Sequence, residues 1–243
     1  MFSGFYVWSK ALGINSNDFA AGVPNLSKEE TRRLDYSYLD YDRPHNVVIN
    51  SIYQVPRVAS GKALGLLVNE WQISGVYRWT SGRPYTIDFQ IPGIGAQNLT
   101  GTDGNPNARI VLTCDPGRGS SDDPYKQLDA SCFAPPQPHS DGNESARFFV
   151  RSPPINNIDL SLSKVFPIAH TVKFEVRLDM FNALNHTQFT GVNSTVNFTS
   201  LTDRTITNLP YDASGALVRP NGFGAINGVA PPRTLQLVTR VTF

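Results

Sequence analysis

The sequence predicts an all-β chain, an antiparallel up-and-down transmembrane β-barrel segment with long extracellular loops. Three observations predict it. Six stretches alternate apolar and polar side chains with the period of a strand. The connections between them alternate short and long, as barrel turns and loops do. No window approaches the ~18 to 20 consecutive apolar residues that a membrane helix needs.

Composition is consistent with that class. Charged residues are 17% of the 243, below the ~25% of an ordinary soluble protein. Net charge is +1 and aromatics reach 11%, so no basic surface points to nucleic acid. A slightly negative mean hydropathy does not exclude a membrane, because the lumen-facing half of a barrel wall is polar. The length suits one large domain or two small ones.

The first strand is expected over residues 2–12, with Tyr6, Trp8 and Leu12 on one side and Phe5, Val7 and Ala11 on the other, which leaves its lipid side open. The second, 46–55, sets Val47, Ile49, Tyr53 and Val55 against Asn46, Asn50 and Gln54. The third, 71–87, sets Trp71, Ile73, Tyr77, Trp79, Tyr85 and Ile87 against Gln72, Ser74, Arg78, Thr80 and Thr86. It far exceeds the mean globular strand of ~5 to 6 residues. The fourth, 157–166, sets Ile158, Leu160, Leu162 and Phe166 against Asn157, Asp159, Ser161 and Ser163.

In the fifth, 172–182, Val172, Phe174, Val176, Leu178 and Met180 oppose the ladder Lys173, Glu175, Arg177 and Asp179. A helix would scatter those charges, whereas a strand gathers them on one watery, lumen-facing wall. Two roles stay open for them: salt bridges to a plug inside the lumen, or pairing within the wall to neighbours such as Asp159 and Arg240. The sixth strand, 233–243, sets Leu235, Leu237, Val241 and Phe243, with Thr239 as the weak member, against Thr234, Gln236, Arg240 and Thr242.

Connections 56–70 and 167–171 are the shorter ones; 13–45, 88–156 and 183–232 are long. With residue 243 on the periplasmic side, every shorter connection falls there too. Compact soluble domains rarely carry several loops beyond ~12 to 15 residues without secondary structure. Trp8, Trp71, Tyr77, Trp79 and Tyr85 are either interfacial girdles or the core of a soluble sandwich. Trp71 and Tyr85 would lie roughly 35 Å apart along a wall tilted ~40°, close to girdle spacing.

Cys114 and Cys132 lie in one long connection. A disulfide there would contribute ~3 kcal/mol and fits an oxidising compartment; two unpaired thiols are the alternative. No CxxC spacing supports zinc. His45, His139, His170 and His186 lack any paired spacing and read as loop or turn residues. With no GxSxG, P-loop or dinucleotide fingerprint in context, no catalytic, cofactor or metal site is expected, and no enzyme activity. GFGAING (222–228) reads as a flexible loop. Asp103, Asn105 and Asn107 resemble the start of a calcium loop but lack the distal Glu, so they read as a turn. Asn98, Asn143, Asn185, Asn193 and Asn197 begin N-x-S/T triplets that read as coincidence in Asn-rich loops.

Residues 1–12 contain no secretory signal pattern, and the expectation is that the chain is the C-terminal portion of a longer one. The segments YVWSKAL (6–12), YDRPHNVVINSIYQVP (41–56), EWQISGVYRWTSGRPYTI (70–87), NIDLSLSKVFPI (157–168), RLDMFNALNHTQF (177–189) and FGAINGVAPPRTLQLVTRVTF (223–243) follow one another along the sequence. Together they resemble the C-terminal barrel portion of TonB-dependent outer-membrane receptors, in particular the Oar-like group whose N-terminus carries a carboxypeptidase-regulatory-like domain. Leu237, Val241 and Phe243 resemble the C-terminal assembly signal of outer-membrane barrels.

The resemblance implies a plugged barrel of about 22 strands, of which residues 1–243 supply the last six, the signal peptide, regulatory-like domain and plug being missing. It implies the cell outer membrane of a Gram-negative bacterium and uptake of a bulky ligand, of the siderophore, oligosaccharide or peptide class. The implied partners are outer-membrane lipid, the rest of the barrel and plug, TonB through the missing part, and the barrel-assembly machinery; no cofactor is implied. Two other readings remain: an outer-membrane adhesion protein without transport, and a secreted carbohydrate-binding β-sandwich. Six strands alone would leave two unpaired edges in lipid and are not expected to insert by themselves.

Overall fold

Alternating side chains can form a wall only if neighbouring strands agree in register, since a slip of one residue would turn each oily row to the wet side. The computed structural model describes residues 1–14, 36–92, 109–117, 122–137, 149–169 and 171–243. Its main element is a six-stranded sheet of β1 (Phe2–Trp8), β2 (His45–Gln54), β3 (Trp71–Thr80), β4 (Ile155–Pro167), β5 (Lys173–Phe181) and β6 (Thr234–Thr242). Spatial order equals chain order and every neighbouring pair is antiparallel. This is an up-and-down meander, and among the described residues it is open, with β1 and β6 at its edges.

The register stacks like on like. Leu237, Leu178, Leu162, Ile73 and Tyr53 stand in one row across five strands. Ile158, Tyr77, Ile49 and Gly4 form another on the same face. The opposite face carries Gln236, Asp179, Ser161 and Ser74 in register. Pairing of Tyr6 with Val47 and Trp8 with His45 puts Phe2, Tyr6 and Trp8 on the apolar face, deciding the side of the first strand. That face is uncovered: Tyr53 is 59% exposed and Leu237 68%. A sandwich would turn such a face toward a second sheet, and here no second large sheet exists among the described residues.

Three expectations need correction. The third strand stops at Thr80, seven residues before Ile87. A Cβ on Gly82 would lie 1.6 Å from the Ser152 carbonyl oxygen, so the chains cross where only glycine fits, and Pro84 cannot donate to a continuing ladder. Tyr85 and Ile87 leave the wall with it. The first strand likewise ends at Trp8, and Leu12–Gly13 pairs separately with Ser37–Tyr38. Connection 56–70 is not a plain turn but contains the helix α1 (Lys62–Val68). Seven helical residues offer too little periodicity to be read from sequence. Asn69 stops the helix, its side chain accepting from Val58 N at 2.9 Å and donating to Ala59 O at 2.7 Å. Glu70, at φ 60°, turns the chain into β3.

The two ends of the wall differ. At one end lie α1 and the tight 167–171 connection, where Ile168 N donates to Val172 O at 3.0 Å. At the other end lie the described parts of the long connections. They build short ladders around a hydrophobic core of Ile87, Ile91, Ile110, Leu128, Phe133, Val150, Val196, Phe198 and Phe223. Among the described residues, the buried hydrophobic core therefore belongs to the connections and not to the sheet.

Candidate functional site

The described parts of the long connections form a cap at the loop end of the wall. Its frame is local pairing: Pro84–Tyr85 with Val150–Arg151, Val111–Leu112 with Phe133–Ala134, Phe189–Val192 with Ile226–Val229, and Asp88–Gln90 in parallel with Thr195–Asn197. Each ladder is too short to persist alone. Burial of Ile110, Val196, Phe198 and Phe133, each at most 1% exposed, supplies the difference at about 1.5–3 kcal/mol per side chain. The rings of Phe133 and Phe223 meet edge to face, centroids 5.2 Å apart.

Cys114 and Cys132 are joined as a disulfide, Cα atoms 4.9 Å apart, which ties the Val111–Leu112 ladder to the 3-10 turn Ala130–Cys132. GFGAING is not a flexible loop. Phe223 and Ala225 are buried in the cap, and Asn208–Pro210 backbone lies within 2.9 Å of a Cβ built on Gly222, so glycine is required by crowding there. Its neighbours stitch two connections together: Gln127 N donates to Gly224 O at 3.0 Å and Ile226 N to Pro124 O at 2.8 Å.

Among the described residues, the connection between β1 and β2 is tied to the cap by an ion pair whose aspartate is buried. Asp42, whose side chain has no exposure, meets Arg151 at 2.5 Å (Nη2 to Oδ2). Asp42 Oδ1 accepts from Ala11 N at 2.6 Å, Arg151 also donates to Gly82 O at 3.1 Å, and its guanidinium lies 4.5 Å over the Tyr38 ring. Sequence reading missed this pair because 109 positions separate its members.

Titration in the cap follows from local partners. The Tyr211 hydroxyl donates to Asp123 Oδ2 at 2.6 Å, which holds the carboxyl below its ordinary value and pushes the phenol up. Hydrogen bonds from Ser131, Thr205 and Ser214 lower Asp129, Asp203 and Asp212 in turn. Burial alone raises Tyr85 and Asp88.

A cleft of about 630 Å³ opens beside the cap, lined by Tyr77, Asn156, Ile158, Asn182, Leu184, Asn185, His186, Thr187 and Phe189. Tyr77 and Ile158 belong to the apolar face, so it opens on the outside of the wall. Its lip is the turn after β5, where Asn182 and Asn185 take positive φ and Asn182 Oδ1 accepts from His186 N at 3.0 Å. Gln188 fastens it by donating to the Asn156 carbonyl.

Lys173, Glu175, Arg177 and Asp179 share the polar face; Arg177 pairs with Asp179 at 3.1 Å, Ser161 donates to Asp179 at 2.6 Å, and Arg240 stands opposite Glu175. Asp159 turns instead to Asn157 and the Asn182 amide. Leu237, Val241 and Phe243 are exposed on or beside the apolar face. His45 stacks on Tyr6, centroids 6.1 Å apart, and meets Trp79 at a tilt with centroids 6.4 Å apart. Trp8, Tyr77 and Trp79 thus stand toward the loop end and Trp71 toward the other, while Tyr85 packs against the cap core. Asn193 donates to Asn221 O and Asn185 accepts from Arg233 N. His139, His170, Asn98, Asn143, Asp103, Asn105 and Asn107 lie outside the described residues. Among the described residues, no three His, Cys, Asp or Glu side chains gather as a metal set.

A family model described as an outer membrane beta barrel domain matches residues 1–236. No curated protein and no solved structure matches the chain. The match spans nearly the whole chain, and the meander it covers has one uncovered apolar face, one polar face, shorter connections at one end and a folded cap at the other. The chain belongs to the outer membrane beta barrel domain family, and is an integral β-barrel protein of the outer membrane.

Proposed function

We propose that this chain supplies wall and outer loops to a TonB-dependent receptor that takes up a bulky ligand, of the siderophore, oligosaccharide or peptide class, and performs no bond chemistry itself. The observation that carries the reading is the cap. Long loops that merely closed strand ends would gain nothing from a core of their own, whereas a ligand-gathering mouth needs loops held in fixed relation. The resemblance of six wall segments to such receptors supports the same reading. The Lys173 to Asp179 ladder would then face the lumen, where charges meet a plug or each other.

The test is accumulation of labelled siderophore, oligosaccharide and peptide pools by cells that carry or lack the gene, with and without a protonophore. Gene-dependent accumulation that stops with the protonophore is the expected result. Gene-dependent surface binding that the protonophore leaves unchanged would instead establish an adhesion protein.

A further inference from the structure

The helix α1 is built inside out for water. Leu64, Leu66 and Leu67 are 59%, 47% and 66% exposed, and Val58 beside them 71%. The half-buried positions are Gly65 and Val68, with Gly65 so close that a Cβ would meet Ala59 O at 3.3 Å. A surface helix in water turns its leucines inward and its small or polar residues outward. Here the three leucines are exposed while Gly65 and Val68 are the half-buried positions, and Leu64 and Leu67, three residues apart, share one side of the helix.

The helix is also fastened to the apolar side of the wall. Trp71 stands on the row that includes Lys164 and Val176, two residues from Ile73 on the oily face. Its indole Nε1 donates to Leu67 O at 2.9 Å. Lys164, also on that face, donates from Nζ to Asn69 O at 2.5 Å and lies 5.0 Å over the Trp71 ring and 4.9 Å over Phe166. Lys164 is only 4% exposed. Two carbonyls at the helix C-terminus, which water would satisfy on a soluble protein, are satisfied by wall side chains. An ammonium on a lipid-facing row is tolerable near the interface and costly at mid-bilayer; this one lies beside the turn end and is shielded by the helix.

We propose that α1 is a lipid-inserted collar, lying in the periplasmic leaflet with Val58, Leu64, Leu66 and Leu67 among acyl chains, and that Lys164 and Trp71 tether it so that it fixes the depth of the wall. The occupant is lipid because the patch continues the exposed face of a membrane wall. The leaflet follows from the shorter connections, which barrels keep on the periplasmic side. The inference rests on membership of the barrel family and not on transport.

A nitroxide on Leu67→Cys, in the full chain within outer-membrane vesicles, tests it; Cys114 and Cys132 are already bonded to each other. Oxygen should relax this label more than a water-soluble nickel chelate does, with the reverse at Val218→Cys in the cap. Dominant relaxation by nickel would place α1 in water, and protection from both would mean a protein covers it; either overturns the proposal. Lys164→Met should increase label mobility, and unchanged mobility would remove Lys164 as the tether.

Discussion

Replacing Arg151 by Met should loosen the junction between the first connection and the cap. The substitution keeps the aliphatic stem but removes donation to Asp42 Oδ2 at 2.5 Å, to Asp42 O at 3.3 Å and to Gly82 O at 3.1 Å. The Asp42 carboxylate, with no exposed side-chain surface, is left with the Ala11 amide as its partner among the described residues. Breaking a buried pair from one side costs about 3–5 kcal/mol, because the other charge stays stranded. Arg151 keeps 31% of its side chain exposed, so water screens part of the loss and the lower figure applies. At about 1.4 kcal/mol per decade, local opening should rise roughly 100-fold. Hydrogen exchange at the Ala11 and Asp42 amides reads that opening directly. Asp42→Asn added to Arg151→Met should recover much of the protection, since the stranded charge is gone. Exchange within about twofold of the parent protein, or a double variant as fast as the single one, would refute the stranded-charge argument.

Reducing Cys114–Cys132, whose separation is 18 residues, should cost the cap about 3 kcal/mol by loop entropy, seen as faster tryptic cleavage after Lys126; an unchanged rate would mean that the core alone orders this segment. In acid, Asp123, Asp129, Asp203 and Asp212, all held below their ordinary value, stabilise the cap above about pH 4. That support should fade as pH falls below it, with Asp88, shifted the other way by burial, opposing the loss. In base, the raised Tyr85 and Tyr211 stabilise the cap below about pH 10 and lose that contribution above it, so melting of the cap against pH should show a plateau between these limits. Leu237→Arg, on the apolar face near mid-length of β6, should cost about 2–4 kcal/mol in lipid, whereas Gln236→Arg on the polar face should be tolerated. Equal folded fractions of the two variants on unheated gels would contradict the assignment of faces.

Much of the wall was legible because a strand in a barrel meets two solvents. Lipid and water on opposite sides impose period two residue by residue, so Leu237 and Gln236, or Leu178 and Asp179, declare their faces without knowledge of any neighbour. The first strand was ambiguous because Phe5 and Val7 are as apolar as Tyr6 and Trp8, and only pairing with Val47 and His45 chose between them. The third strand was overextended because Tyr85 and Ile87 keep the alternation going past Gly82 and Pro84. The turn signal in SGRP was present, but its force came from Ser152 crossing beside Gly82, a contact with a distant segment.

The candidate site was harder to read. Ile110 opens the three-residue run IVL, and Val196 and Phe198 alternate within TVNFT, runs too short to announce a core in advance. The disulfide was foreseeable as a possibility from two cysteines in one connection, but the ion pair of Asp42 and Arg151 was not.

Side-chain alternation and connection length, which depend on local order along the chain, were enough to specify an all-β membrane wall and which end carries its loops. The cap core, the reversed helix on the wall's oily foot and the junction at Asp42 came only with the folded chain. They are made by residues tens of positions apart, and no period in the sequence records which distant segments will meet.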